Sequence, residues 1–171
     1  MTSFFKLAAA LLVAGSLTAC SAAAKVQMTQ PKSAAIPSQS VVALEVVPAG
    51  NEAGDEDTEA VLQKLRSSLF GGLVANGLFK QVVQPAETAD YKMQITVDGV
   101  RTVSQGARIF LGALAGENEF SARCLVTNFA TGDKVTDFTV MGESAAHPLS
   151  SENDMDDAIN KVVEKIIASL R

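Results

Sequence analysis

The sequence predicts an α+β fold: a two-layer sandwich in which a mainly antiparallel sheet carries two helices on one face, after a signal peptide and a flexible tether. Short segments alternate apolar with polar residues, as strands do, and two longer segments repeat apolar residues at spacings of three and four, as helices do. Their order is strand, helix, strand, strand, hairpin, helix. This order allows both helices to cover the same face of the sheet.

The first half of the predicted domain contains one strand, one helix and two more strands. Residues 41–47 alternate as a strand with one strongly apolar face, and Pro48 begins the turn that ends it. Acidic residues then stand where a helix N-terminus favours negative charge, and leucines follow at helical spacing until Asn76 and Gly77. Residues 78–83 and 91–97 are the next two strands. The helix pattern consists of Asp55, Glu56, Asp57, Glu59, Leu62, Leu65, Leu69 and Leu73.

The second half of the predicted domain contains a hairpin and a final helix. Residues 120–126 and 135–140 are apolar runs separated by a turn whose Gly132 suits a left-handed conformation, so they form an antiparallel pair. The last helix follows Ser150 and Ser151 and has acidic residues in its first turn. Its apolar positions are Met155, Ile159, Val162, Ile166 and Leu170.

The N-terminal residues have the pattern of an export signal. Lys6 precedes an uncharged run at residues 7–17, which is about eleven residues long, whereas a membrane-spanning helix needs ~20. The run closes with Leu17-Thr-Ala-Cys20, which resembles the lipobox of bacterial lipoproteins, in which the cysteine receives lipid on sulfur and becomes the new N-terminus. We therefore predict a signal peptide at 1–19 and lipidation of Cys20. The alternative is an ordinary secretory peptide in which Cys20 is incidental.

The predicted mature chain is a tether followed by one domain. Residues 20–39 have no apolar period and predict a flexible tether that spans on the order of 25 Å, and residues 40–171 form a single α+β domain. Removal of Lys6 with the signal leaves thirteen basic against nineteen acidic residues, which argues against a nucleic-acid partner. Ser21 follows the cysteine where an aspartate would favour retention at the inner membrane. We therefore expect the outer membrane, with the domain facing the periplasm.

Residues suited to catalysis or metal binding are few. His147 is the only histidine and has no cysteine near it at metal-ligand spacing, so it predicts a surface side chain. Cys124 alternates with apolar residues and predicts a buried thiol. Four acids could converge in the fold as carboxylate pairs, but scattered acids at strand ends are usually solvated. These acids are Asp90, Asp98, Glu117 and Glu119. We expect no enzyme, no cofactor and no metal site.

Residues 106–116 are more apolar than a connection between strands requires. The segment carries a single charge, Arg108. We therefore expect its apolar side chains to be shielded from water by a contact. It either folds back over its own sheet or forms an interaction patch that meets another subunit, a partner protein or the membrane surface. The residues of this possible patch are Ile109, Phe110, Leu111 and Leu114. Our hypothesis from the sequence is that the segment contributes to a protein contact.

Three short motifs accompany this order of elements: Ala89 to Tyr91, Gly106 to Gly116 and Ala130 to Gly132. With them the chain resembles an uncharacterised domain-of-unknown-function family of bacterial lipoproteins. That family is distantly similar to the periplasmic domain of CsgG and to the N-terminal domain of TolB. The resemblance implies an envelope location and an interaction role, and it supplies no catalytic residue. The expected function is a binding or assembly module in envelope transport, secretion or biogenesis. The alternative is a small-ligand or metal-dependent periplasmic enzyme.

Overall fold

The structure, a computed structural model, describes residues 22–50, 52–104, 110, 116–144 and 154–171. Cys20 and the predicted signal peptide lie outside the described residues, as do Ile109, Leu111, Leu114 and His147. Within the described ranges the chain forms six strands and two helices. They are β1 (Ala23–Gln30), β2 (Val41–Pro48), α1 (Glu56–Ala75), β3 (Gln81–Val83), β4 (Tyr91–Arg101), β5 (Glu119–Asn128), β6 (Lys134–Glu143) and α2 (Asp154–Leu170).

The described strands form one mixed sheet in the order β1-β6-β5-β4-β2-β3. The strands β4, β5, β6 and β1 pair antiparallel, while β2 runs parallel to both β4 and β3. The two helices pack against each other and against this sheet. The predicted α+β class is confirmed.

The core lies between the helices and one face of the sheet. Met93, Ile95 and Val97 are fully buried, so the alternation that predicted β4 places its apolar side on the helices. The leucines that predicted α1 and four of the five apolar positions that predicted α2 are buried in the same cluster. Asp55 caps α1 by accepting a hydrogen bond from the Thr58 N–H, at 2.9 Å.

The structure differs from the predicted tether at residues 23–30. Residues 23–30, which the sequence assigned to the tether, form β1 and pair antiparallel with β6. Most side chains of β1 are exposed on both faces, so the strand has no apolar period and is held mainly by backbone hydrogen bonds to its partner. The chain after β1 is also held, because Lys32 Nζ donates to the carbonyl of Arg171 at 2.7 Å and Ser33 N donates to the carbonyl of Val135 at 2.8 Å.

The second predicted strand is shorter than expected. Only Gln81–Val83 pairs with β2, whereas Leu78 and Phe79 turn into the core after α1. Gly77, with φ +65°, allows this turn, and the N–H of Leu78 donates to the carbonyl of Leu73. Because Phe79 is buried in the core directly after the helix, residues 78–80 are not part of the strand that the apolar run had predicted at 78–83.

An ion pair between the exposed Arg123 and the buried Asp137 lies on the face of the sheet opposite the helices. Arg123 donates to both carboxylate oxygens of Asp137, at 2.9 and 2.7 Å, and Lys134 Nζ lies 3.7 Å from the same carboxylate. The Asp137 side chain is almost fully buried. The hydrogen bonds from Arg123 hold the pKa of Asp137 below its ordinary value, which keeps this carboxylate charged on the sheet surface.

The helix α2 packs directly over Gly142 of β6. A Cβ atom at this position would lie 2.6 Å from Val162 Cγ2 and 3.3 Å from the backbone oxygen of Ala158. Only glycine leaves room for the helix backbone at this distance from the strand.

We predict that Gly142→Ala destabilises the domain by about 1 to 3 kcal/mol, because the added methyl group overlaps Val162 and forces the helix away from the sheet. Urea denaturation measures the change. Gly71→Ala is the matched control, since nothing lies within 4 Å of its added Cβ and alanine favours the helix. Equal stability of wild type and Gly142→Ala would contradict the close approach.

Candidate interaction site at one end of the sheet

One end of the sheet brings together the start of β1 and the described residues on either side of the β4–β5 connection. Ala23 of β1 pairs with Glu143 of β6, Glu143 pairs with Glu119 of β5, and Glu119 pairs with Arg101 of β4. These four residues form one row across the sheet, where β1 and β5 begin and where β4 and β6 finish. We call this the Ala23 end.

The predicted lipidation site is close to the Ala23 end in sequence. Cys20 precedes Ala23 by three residues, and three residues span at most about 11 Å. The spacer between the predicted lipid and the first strand is therefore short, whereas the sequence had predicted a flexible tether that spans on the order of 25 Å. This difference follows directly from the pairing of β1 with β6.

The connection between β4 and β5 is pinned where it leaves and re-enters the sheet. The side-chain oxygen Oδ1 of Asn118 accepts the N–H of Val103 at 2.7 Å. The Asn118 N–H donates to Ser144 Oγ at 3.0 Å, and the Asn118 carbonyl accepts the Ser144 N–H at 2.8 Å. Asn118 is buried, so these bonds satisfy polar groups that have little access to water. We call the contact of Val103, Asn118 and Ser144 the neck.

Glycines and a helix contact help to shape the neck. Gly99, with φ +63°, lies in the bulge of β4 where the register shifts between Asp98 and Arg101. Gly116, with φ +88°, would place a Cβ 3.1 Å from the Arg101 guanidinium. The hydroxyl of Thr102 donates to the Asp57 carboxylate at the start of α1. The β4–β5 connection therefore leaves the sheet at the Ala23 end, beside the first turn of α1.

Phe110 is the one residue of the predicted patch that the structure describes, and its exposed fraction is 89%. The other large apolar side chains that are exposed among the described residues reach 38 to 46%. Phe110 therefore does not pack against its own sheet. The other three patch residues lie outside the described residues, so the patch itself stays a prediction.

Of the four acids that could have formed carboxylate pairs, Asp90 is separated from Asp98 and Glu119, which line the same depression. Asp90 lies at the opposite end of the sheet, where its carboxylate accepts the Val41 N–H at 2.7 Å. Glu119 lies 3.7 Å from the Arg101 guanidinium, and Asp98 lines a shallow depression of about 210 Å³ beside Met141. Among the described residues no group of His, Cys, Asp and Glu could hold a metal ion.

Cys124 is fully buried in the core, as the strand pattern predicted. Burial raises the pKa of its thiol far above the ordinary value, and the nearby Asp137 carboxylate raises the pKa further. Because the thiolate is the reactive form, this cysteine is chemically inert in the folded domain.

Acidic side chains outnumber basic ones at the Ala23 end among the described residues, because both helices begin there. Three of these acids have a basic partner: Lys25 lies 2.8 Å from Glu143, Lys64 lies 2.7 Å from Asp156, and Arg101 approaches Glu119. The others give this end a negative potential. The acids are Asp55, Glu56, Asp57, Glu59, Asp98, Glu117, Glu119, Glu143, Asp156 and Asp157.

Comparison with known proteins identifies one family and several similar folds. The model of a family described as domain of unknown function DUF4410 matches residues 21–148. No curated protein matches the chain at a significant level. The PelC dodecamer from Paraburkholderia phytofirmans has 15% sequence identity and a TM-score of 0.58, covering 86% of this chain and 97% of PelC. A PelC variant from the same organism, also a dodecamer, has 16% identity, a TM-score of 0.57 and the same coverage.

A third solved structure has the same fold. A Xanthomonas campestris protein of the DUF330 family has 12% identity and a TM-score of 0.51, covering 85% of this chain and 89% of that protein. At these identities the likeness shows the fold alone. The predicted similarity to the CsgG and TolB domains stays a prediction.

We predict that Asn118→Ala loosens the neck. The change removes the acceptor of the Val103 N–H, which costs about 1 to 2 kcal/mol of stability and speeds hydrogen exchange of the Val103 amide. Asn128→Ala is the matched control, because Asn128 Oδ1 accepts the N–H groups of Ala130 and Thr131 at the opposite end of the sheet. An unchanged exchange rate at Val103 would show that Asn118 does not hold the neck.

Proposed function

The chain belongs to the DUF4410 family, a domain of unknown function, and from this premise we propose that it is a lipid-anchored bacterial envelope protein that acts as a binding or assembly module. Its partners are a membrane, through lipid on Cys20, and other protein chains, including copies of itself. Its site of action is the periplasmic side of the outer membrane, in transport, secretion or biogenesis of the envelope. The proposal includes no catalytic role, no cofactor and no nucleic-acid partner.

The anchor part of the proposal is supported by the sequence around Cys20 and by the short spacer to β1. The lipobox-like residues 17–20 follow an apolar run too short to span a bilayer, and no helix among the described residues is long and apolar enough to cross a membrane. The two or three acyl chains of a lipoprotein cysteine give lasting attachment, because each buried methylene contributes ~0.8 kcal/mol. Ser21 supports the outer membrane as the destination.

The assembly part is carried by one observation: the described part of the sheet has an unpaired edge on each side. The outer side of β1 has no strand beside it, and β3 covers only Val41–Ala43 of β2, so residues 44–47 have no strand on that side. An unpaired strand edge offers N–H and carbonyl groups to a strand of another chain. Because the two edges lie on opposite sides, contact between them joins copies head to tail, which generates a ring when the rotation closes.

The two edges differ in how they are covered. Arg66 donates to the carbonyl of Val46 at 2.9 Å and so satisfies one acceptor of the β2 edge. On β1, Val26 and Met28 are large apolar side chains with exposed fractions of 38% and 45%. The more open edge is therefore that of β1. PelC, which has a similar fold, forms dodecamers, and this supports self-association of the present chain.

We predict that Cys20→Ser abolishes lipid attachment. Without a thiol at this position no acyl chain can be added, so the protein should move from the membrane to the soluble fraction of disrupted cells. Fractionation and the mass of the N-terminal peptide measure the result. A variant that still fractionates with membranes, together with wild-type protein that carries no acyl mass, would show that the chain is not a lipoprotein.

We also predict that lysine at Val26 and Met28 reduces self-association. Like charges along the β1 edge repel an approaching strand, while the thermal stability should change little because both side chains are exposed. Sedimentation of the lipidated protein in detergent measures the assembly. Val74→Lys on α1, where the side chain is 44% exposed, is the matched control. If wild type and double variant sediment alike, the β1 edge is not the interface.

A further inference from the structure

We propose that a groove beside β2 receives the strand β1 of a second copy of this chain as an antiparallel partner. The proposal rests on the self-association proposed above, and it adds where one copy binds the next and in which direction. The groove has a volume of about 290 Å³ and follows the part of β2 that β3 leaves uncovered. It is lined by residues 44–47 of β2, by Arg66 of α1 and by the turn at Gln84 and Pro85.

The strand directions allow the second copy to bind in the same orientation as the first. The strand β4 runs parallel to β2, and the antiparallel pairs of β5 and β6 make β6 point the same way as β4. Because β1 is antiparallel to β6, it points in the direction opposite to β2. A copy that continues the sheet without being turned over therefore places its β1 antiparallel to β2 and can form regular backbone hydrogen bonds with it.

The flank of α1 beside the groove carries an exposed apolar side chain. Lys64 donates to Asp156 of α2, whereas Arg66 reaches the carbonyl of Val46 and so lies on the flank turned away from α2. Phe70 follows Arg66 by four residues and lies one turn further along this flank, with an exposed fraction of 42%. The helix thus offers a large apolar side chain to whatever lies beside β2.

The exposed apolar side chains of β1 lie on the matching face of the sheet. Val26 pairs with Val140 and Met28 pairs with Phe138, and both partners are buried under the helices. Val26 and Met28 therefore point toward the helix layer, although their exposed fractions are 38% and 45%. In a continued sheet these two side chains meet the α1 flank of the neighbouring copy, where they and Phe70 shield each other from water.

The polar side chains of the two edges favour one register. When residues 25–28 of the second copy pair with residues 44–47, both exposed apolar side chains of β1 enter the groove and Gln27 lies opposite Glu45. The Oε2 atom of Glu45 is buried and accepts no hydrogen bond from the described residues, although Lys92 Nζ lies 2.8 Å away. The side-chain amide of Gln27 of the second copy can donate to this oxygen.

The first test mixes two variants that are each blocked on one side. Phe70→Lys obstructs the groove and leaves β1 intact, whereas V26K/M28K obstructs β1 and leaves the groove intact. Each variant alone should sediment as a monomer when the full-length protein is studied in detergent. An equimolar mixture should give dimers and nothing larger, because one intact β1 meets one intact groove and the remaining sides are blocked.

Val74→Lys is the matched control for Phe70→Lys. Val74 lies on the same helix and is 44% exposed, but it is about 80° further around α1 than Arg66 and near the helix end, where β3 covers β2. This variant should assemble as wild type does. The melting temperature of each variant is measured alongside, so that loss of assembly is separated from loss of folding.

The second test changes the charge at one position of β1. Gln27→Glu places a carboxylate opposite Glu45 and should weaken self-association by about tenfold, whereas Gln27→Lys should not weaken it. Because Gln27 lies on β1, this pair tests the same contact even if Phe70→Lys melts earlier than wild type. Equal weakening by the two changes at Gln27 would overturn the register.

The outcomes distinguish this groove from self-association in general. A Phe70→Lys variant that assembles as wild type does would overturn the groove and leave self-association standing. A mixture that stays monomeric, although both variants melt like wild type, would overturn the head-to-tail pairing. Wild-type protein that is itself monomeric would instead overturn the proposed self-association, and the groove would fail with it.

Discussion

The pairing of β1 with β6 determines where the chain enters its domain, and the arrangement of the other surface features depends on it. The ladder runs from Ala23 opposite Glu143 to Gln30 opposite Asp137, so it joins the N-terminal residues of the domain to a strand more than a hundred positions later. Without this ladder the residues after Cys20 would be a tether reaching on the order of 25 Å. With it, the start of the domain and the exit of the β4–β5 connection share one end of the sheet.

The sequence predicts those parts of the fold that bury one apolar face. The leucines of α1 and the alternating residues of β4 carry a period that reflects which side of each element faces the core. The strand β1 lacks such a period because Lys25 and Gln27 lie on the open face of the sheet, while Val26 and Met28 lie on the other face but remain exposed at its edge. An edge strand that is held mainly by backbone hydrogen bonds does not need an alternating apolar pattern, so its sequence does not predict it.

The candidate site is only partly readable from the sequence for a similar reason. The apolar excess of residues 106–116 is apparent from the sequence, and Phe110, the one patch residue that the structure describes, is exposed. The neck could not be predicted from the sequence, because Val103, Asn118 and Ser144 come into contact only when β4, β5 and β6 are paired in register. Gly142 is a partial exception, since a glycine inside a strand pattern indicates a close approach of another backbone.

The separation between β1 and β6 along the chain also sets the order in which the domain can form. Ala23 emerges early in synthesis and cannot pair until residue 143 has followed, so β1 waits unpaired while nearly all of the domain is made. Contacts of such long sequence separation form late and slowly in folding. Under the export that we propose, the chain completes its sheet only after β6, the strand that pairs with β1, has also crossed the membrane.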